Sequence, residues 1–151
     1  MLSVKVRRLA SLSLDDWRLL LSAVGWLAFV RAALRLWPFP RVERWASPPP
    51  GGRPGDERRV VRLVAAAGRH LPWQPTCLER SLVLQRLLSQ HGIETQLCIG
   101  VRKEEAKLVA HAWLERKGRV INDSPQATAA YTRLLAPEAV YSAARQLVTG
   151  R

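Results

Sequence analysis

Three residues in the sequence carry side chains that together could hydrolyse an amide: Cys77, His111 and Asp123. A thiolate attacks a carbonyl carbon, an imidazole takes the thiol proton and later gives it to the leaving amine, and a carboxylate fixes the imidazole tautomer. Each residue alone has an ordinary explanation, because single cysteines and strand histidines are commonly core residues and aspartate is common in turns. The interpretation therefore depends on the elements that position them.

Cys77 is predicted to open a buried helix that stops at Gln90-His91-Gly92. Thr76 and Glu79 have the spacing of a capping box, and Pro75 holds the preceding chain extended. The unpaired N–H groups and positive dipole end at such a position favour a thiolate and can face an oxyanion. Gly92 is predicted to end the helix in the left-handed conformation.

His111 and Asp123 are predicted to flank a β-hairpin, since the apolar period changes to two after Gly92. Lys117-Gly118 is a two-residue hairpin turn, so the two side chains can meet across adjacent strands. Cys98 falls in the alternating pattern and is predicted to be a core thiol. The predicted strands are residues 94–101, 108–116 and 119–122.

Two further residues are candidates for the cleft beside Cys77. Trp73 precedes it by four residues and either adds an indole N–H to the oxyanion hole or walls the cleft, of which we favour the wall. Thr76, the predicted N-cap, adjoins the same position.

The chain is predicted to consist of an N-terminal helical arm (1–45), a Pro/Gly linker (46–56) and a main domain (57–151). The arm contains a helix over Leu14–Leu36 that breaks near Gly25 or at Pro38-Phe39-Pro40. Helices are also predicted at 57–70 and 137–148.

Composition limits the chemistry and the compartment. Two cysteines without CxxC spacing and only three histidines argue against a disulfide framework and a zinc site, so we expect no metal, no cofactor and a cytoplasmic protein. The net charge of +12 attracts acidic partners. The arginines are dispersed and no reading motif accompanies them, so we predict no nucleic-acid partner.

The apolar stretch Leu19–Val30 is only about 12 residues long, against roughly 20 for a membrane span. Trp26, Arg31 and Arg35, with no small-residue cleavage site, argue against a signal peptide. Peripheral membrane contact by this basic amphipathic segment stays open.

The joint arrangement favours a catalytic triad, and several motifs then resemble a known family. They occur in the right order across residues 57–126: Pro72-Trp73-Gln74-Pro75-Thr76-Cys77-Leu78, Leu87-Leu88-Ser89-Gln90-His91-Gly92-Ile93, Ile99-Gly100-Val101-Arg102-Lys103, Ala110-His111-Ala112-Trp113-Leu114 and Val120-Ile121-Asn122-Asp123-Ser124-Pro125. The chain resembles the lasso-peptide leader peptidase, the transglutaminase-like cysteine protease half of the lasso-peptide B protein.

The resemblance implies an α+β fold, with a papain/transglutaminase-like core and an N-terminal helical extension. It implies that Cys77, His111 and Asp123 are the nucleophile, base and orienting acid that remove the leader from a ribosomally made precursor. It also implies two partners, a small leader-recognition protein and an asparagine-synthetase-like macrolactam cyclase. The segment before the linker is too short for a recognition domain, so we expect the stand-alone protease form.

Two other functions stay open on the sequence alone. A transglutaminase-like acyltransferase would form the same acyl-enzyme but pass it to an amine instead of water. A basic adaptor for nucleic acid or membrane would leave the three residues without a catalytic role.

Overall fold

The computed structural model describes residues 12–149, so the first eleven residues of the predicted arm lie outside the described part. The elements follow in chain order: α1 (Leu14–Leu36), α2 (Phe39–Ala46), α3 (Glu57–Arg69), α4 (Cys77–Gln90), β1 (Gln96–Glu104), β2 (Lys107–Arg116), β3 (Arg119–Val120), α5 (Pro125–Ala129), β4 (Thr132–Arg133) and α6 (Pro137–Thr149). The strands form one antiparallel sheet in the order β3-β2-β1-β4.

Helix α4 is the centre of the core. It packs against α1, α2, α3 and α6 and against the sheet through β1 and β2. Its apolar residues cover most of its circumference, so that burial against several neighbours supplies most of its stability. Its fully buried side chains include Leu78, Leu82, Val83 and Leu88. The predicted α+β class, with a cysteine-bearing helix on a small antiparallel sheet, is confirmed.

Helix α1 is continuous through Gly25, so the predicted break near that residue is wrong. A Cβ at Gly25 would meet nothing within 4 Å, and a single glycine inside a helix costs only about 1 kcal/mol relative to alanine. The chain turns instead at Pro38, the N-cap of α2, which was the alternative break point.

The apolar face of α1 packs against α3 and α4. Its buried residues are Leu20, Ala23, Leu27, Val30, Ala33 and Leu34. By length and composition α1 could also cross a membrane, although core helices pass the same test, and about 33% of its most apolar window is buried within the protein.

The Pro/Gly linker is hydrogen-bonded to the end of α4. Ser89 Oγ donates to the Pro48 carbonyl at 2.6 Å, Gly51 N–H donates to the Ser89 carbonyl at 3.0 Å, and Gly55 N–H donates to the His91 carbonyl at 3.3 Å. These bonds satisfy groups at a helix end that has no further turn of its own. The division into arm, linker and main domain stays a prediction.

The hairpin differs from the prediction at both ends. Strand β1 continues to Glu104, which leaves only Glu105 and Ala106 in the turn. Strand β3 has two residues instead of four, because the N–H of Leu114 donates to the Asn122 side chain at 2.8 Å instead of to a strand carbonyl. Gly92, which follows the C-terminal end of α4, has φ +69°, in agreement with the predicted left-handed cap.

Candidate active site

Cys77 is the first residue of α4, and the predicted capping box around it is formed. Thr76 Oγ1 accepts from the Glu79 N–H at 3.1 Å, and Glu79 Oε2 accepts from the Thr76 N–H at 3.0 Å. The Glu79 carboxylate is buried and lies 3.7 Å from the Arg31 guanidinium of α1. The arm therefore helps to hold the helix start on which the thiol stands.

His111 lies on β2, and Asp123 follows β3. His111 Nε2 and Asp123 Oδ2 are 2.6 Å apart, with side chains 20% and 30% exposed. Asp123 Oδ1 accepts from the Ser124 N–H at 2.7 Å, which fixes the carboxylate plane. With Nε2–H donating to Asp123, Nδ1 is the ring nitrogen left to take a proton.

The three side chains line one small cavity of about 60 Å³. Val61, Val64 and Ala65 of α3 form its apolar wall, and the exposed Arg80 lies at the same cavity. The structure thus brings together Cys77, His111 and Asp123, although they are far apart in sequence. A carbonyl carbon placed here would have a nucleophile, a base and a cation within one cleft.

The pKa of Cys77 lies below the ordinary value for a thiol. Burial is the largest single influence and opposes ionisation. It is outweighed by the hydrogen bond and charge of His111 together with hydrogen bonds from the backbone of Ala112 and Leu78. Such a thiol forms the nucleophilic thiolate more readily than a free cysteine.

The pKa of His111 is raised above its ordinary value. Its hydrogen bond to Cys77 is the largest cause, burial opposes the shift, and the hydrogen bond to Asp123 adds to it. The opposite shifts of the two groups favour a thiolate–imidazolium pair.

An aromatic wall packs beside the His111 imidazole. The Trp113 ring stacks at 6.0 Å between centroids and the Tyr131 ring at 5.1 Å. Gly100 lies opposite His111 in the β1–β2 register, where a Cβ would approach Trp113 at 2.9 Å and Tyr131 at 3.0 Å. A Cβ here would also meet the Thr132 carbonyl at 3.0 Å, so a larger residue would displace the Trp113 ring or the chain at Tyr131 and Thr132.

Two polar residues that the sequence analysis missed connect the elements of the site. Ser81 Oγ, fully buried on α4, donates to the Ala112 carbonyl at 3.3 Å and accepts from Asn122 Nδ2 at 3.0 Å. Two signals could have revealed them: a serine four residues after Cys77 on an apolar helix, and an amide directly before Asp123.

Trp73 does not line the cavity. Arg31 stacks on its ring at 5.5 Å, and its buried indole N–H has no hydrogen-bond partner within residues 12–149. Thr76 contributes as the N-cap. Their predicted parts in the oxyanion hole or cleft stay predictions.

Cys98 is 1% exposed, and burial raises its pKa to about 11, as a core thiol requires. Among residues 12–149, no group of three or more His, Cys, Asp and Glu side chains is placed to hold a metal ion.

Residues 12–136 match the family model "Transglutaminase-like superfamily". The chain belongs to this superfamily, which confirms the fold inferred for the core and its N-terminal extension.

The chain is also similar to the Microcin J25-processing protein McjB of Escherichia coli. The two are 43% identical over 49 residues, which cover 32% of this chain and 23% of that protein. The match thus spans about a quarter of the relative's length. Together with the family match, it supports the resemblance to a lasso-peptide B-protein protease. No solved structure matched the chain.

Proposed function

We propose that this chain is a cytoplasmic cysteine peptidase that removes the leader from a lasso-peptide precursor. The observation that carries the proposal is the cavity shared by Cys77 and the His111–Asp123 pair at 2.6 Å. Membership of the superfamily and similarity to a microcin-processing protein support the peptide substrate.

The reaction proceeds through an acyl-enzyme. His111 Nδ1 takes the Cys77 proton, and the thiolate forms a C–S bond to the carbonyl carbon at the cut site. The C–N bond then breaks, and the imidazolium gives its proton to the leaving amine. Water, deprotonated by His111, adds to the thioester and releases the carboxylate and the thiol. Backbone N–H groups in the first turn of α4 stabilise both oxyanions.

A partner supplies most of the substrate affinity. The cavity is small, about 60 Å³, so a long leader must also be held by surfaces outside it. A separate leader-recognition protein meets this need, and a macrolactam cyclase uses the freed N-terminus. The net charge of +12 favours an acidic leader.

The decisive experiment incubates the protein with the precursor and recognition protein of its own gene cluster and follows the products by mass spectrometry. We expect leader release by wild type, none by Cys77→Ala, and a rate within about twofold for Cys98→Ala, which removes the other thiol at a small packing cost. Cleavage by Cys77→Ala at the wild-type rate would refute the assignment.

The same experiment separates the two alternatives. If added methylamine becomes attached to the new C-terminus in preference to water, the chain is an acyltransferase. If iodoacetamide fails to label Cys77 while the protein binds anionic liposomes or nucleic acid tightly at physiological salt, it is an adaptor.

A further inference from the structure

The triad is assembled from three separate segments of the chain. Cys77 comes from α4, His111 from β2 and Asp123 from the segment after β3. Strand β3 is only two residues long, so main-chain pairing ends before Asp123 is reached. Some other interaction must place Asp123 against the imidazole.

One more main-chain bond follows β3, from the Ile121 N–H to the Leu114 carbonyl at 3.0 Å. A side chain then takes over, since Asn122 Oδ1 accepts from the Leu114 N–H at 2.8 Å. The Asn122 amide therefore takes the position of a strand peptide, and the residue that follows it is Asp123. A single amide thus sets the register of Asp123 along β2.

The same amide reaches the cysteine helix. Asn122 Nδ2 donates to Ser81 Oγ at 3.0 Å, and Ser81 donates to the Ala112 carbonyl at 3.3 Å. The Ala112 backbone is also one of the groups that lower the pKa of the Cys77 thiol. Ser81, one turn after Cys77 on α4, thus ties this helix to the residue next to His111.

We propose that Asn122 and Ser81 are positioning residues that hold Asp123 against His111 and the Cys77 helix against β2. The inference rests on the proposed function, because it gives the pair a role only if the three residues act together. Ser81 is buried and Asn122 is half-buried, and both Asn122 polar atoms and the Ser81 hydroxyl are hydrogen-bonded, so loss of either side chain leaves a partner without its bond.

The test needs no precursor peptide. The rate of Cys77 alkylation by iodoacetamide is measured against pH by peptide mapping in wild type, Asn122→Ala, Asp123→Ala and the double variant. In Asn122→Ala we expect the midpoint of the profile to move toward the ordinary thiol pKa by about one unit, which is about tenfold in rate on the acid side.

The double variant distinguishes positioning from stability. If Asn122 acts through Asp123, Asn122→Ala changes the profile less in the Asp123→Ala background than in wild type, and the remaining change comes from the lost link to Ser81. An equal loss in both backgrounds, or an unchanged profile in Asn122→Ala, would overturn the proposal. Ser89→Ala is the matched control, since it removes one serine hydrogen bond at the far end of α4.

A second variant keeps the test open to refutation if Asn122→Ala does not fold. Ser81→Ala leaves the Asn122–Leu114 bond in place and removes only the link to α4. We expect the same direction of shift in its alkylation profile, and no shift would overturn the proposal. A wild-type profile like that of a free thiol would instead refute the proposed function itself.

Discussion

Removal of the Asp123 carboxylate should measurably slow the alkylation of the Cys77 thiol, even in the absence of a substrate. Asp123 accepts a hydrogen bond from His111 at 2.6 Å and is one of the groups that raise the pKa of His111. In Asp123→Ala the imidazolium loses this support and gives up its proton at lower pH. The thiolate then loses its cationic partner, so the pKa of Cys77 moves upward.

The magnitude follows from the hydrogen bond. A bond to a charged group contributes about 1.5–3 kcal/mol, and the partial exposure of both side chains favours the lower end, about 1.5–2 kcal/mol. At 1.36 kcal/mol for each factor of ten, the population of the thiolate–imidazolium pair falls by about 10–30-fold.

The assay is iodoacetamide alkylation of Cys77 at pH 6, where a free thiol is almost fully protonated. His111→Ala gives the lower limit of the rate, and Glu104→Gln, an exposed carboxylate on β1, is the charge-matched control. An Asp123→Ala rate within about twofold of wild type at every pH would refute the reasoning, provided that the variant unfolds at the wild-type temperature.

Two further predictions concern charged residues near the site. Glu57 accepts hydrogen bonds from Arg116 at 2.7 Å and from Arg119 at 2.6 Å. Burial opposes its ionisation, but the two arginines outweigh it and lower the pKa of Glu57. Glu57→Gln should therefore reduce the free energy of unfolding by about 1–2 kcal/mol at pH 7, as measured by urea titration. Because the folded-state pKa is lowered, this difference should shrink as pH falls through it, and a constant difference down to pH 2 would contradict the assignment. Arg80→Gln should lower the rate of Cys77 labelling by the anion iodoacetate, relative to neutral iodoacetamide, about two- to threefold at low salt and little at about 0.5 M salt. Arg145→Gln is the control. An unchanged ratio of the two rates would show that Arg80 does not act on anions in the cleft.

Local signals were sufficient to predict the parts of the site. The Thr76–Glu79 spacing predicts a capped helix start, and a capping box depends only on residues three apart, so Cys77 was placed at the first turn. The Lys117-Gly118 turn predicts the hairpin for the same reason, and the structure has positive φ at both residues. Elements of this kind are nearly independent of the rest of the chain.

Contacts between distant segments could not be predicted in the same way. Ser81 and Asn122 are 41 residues apart, and their bond exists only because α4 docks on β2. The predicted third strand was too long because the apolar Val120-Ile121 pair suggests that the strand continues to Asn122. A side-chain acceptor at Asn122 took the place of the main-chain carbonyl, and sequence periodicity carries no information on that exchange.

The apolar character of α1 is a further example, because the sequence alone does not show which distant segments pack against this helix. Its composition fits a membrane span, yet one face packs against α3 and α4, and a second side is covered by the protein's own aromatic residues. Trp26 and Phe29 each lie 5.0 Å from the Trp45 ring of α2, and Arg86 of α4 stacks on Trp45 at 4.2 Å while donating to its carbonyl. About 33% of the most apolar window of α1 is buried by such contacts, so burial by neighbours accounts for part of its hydropathy.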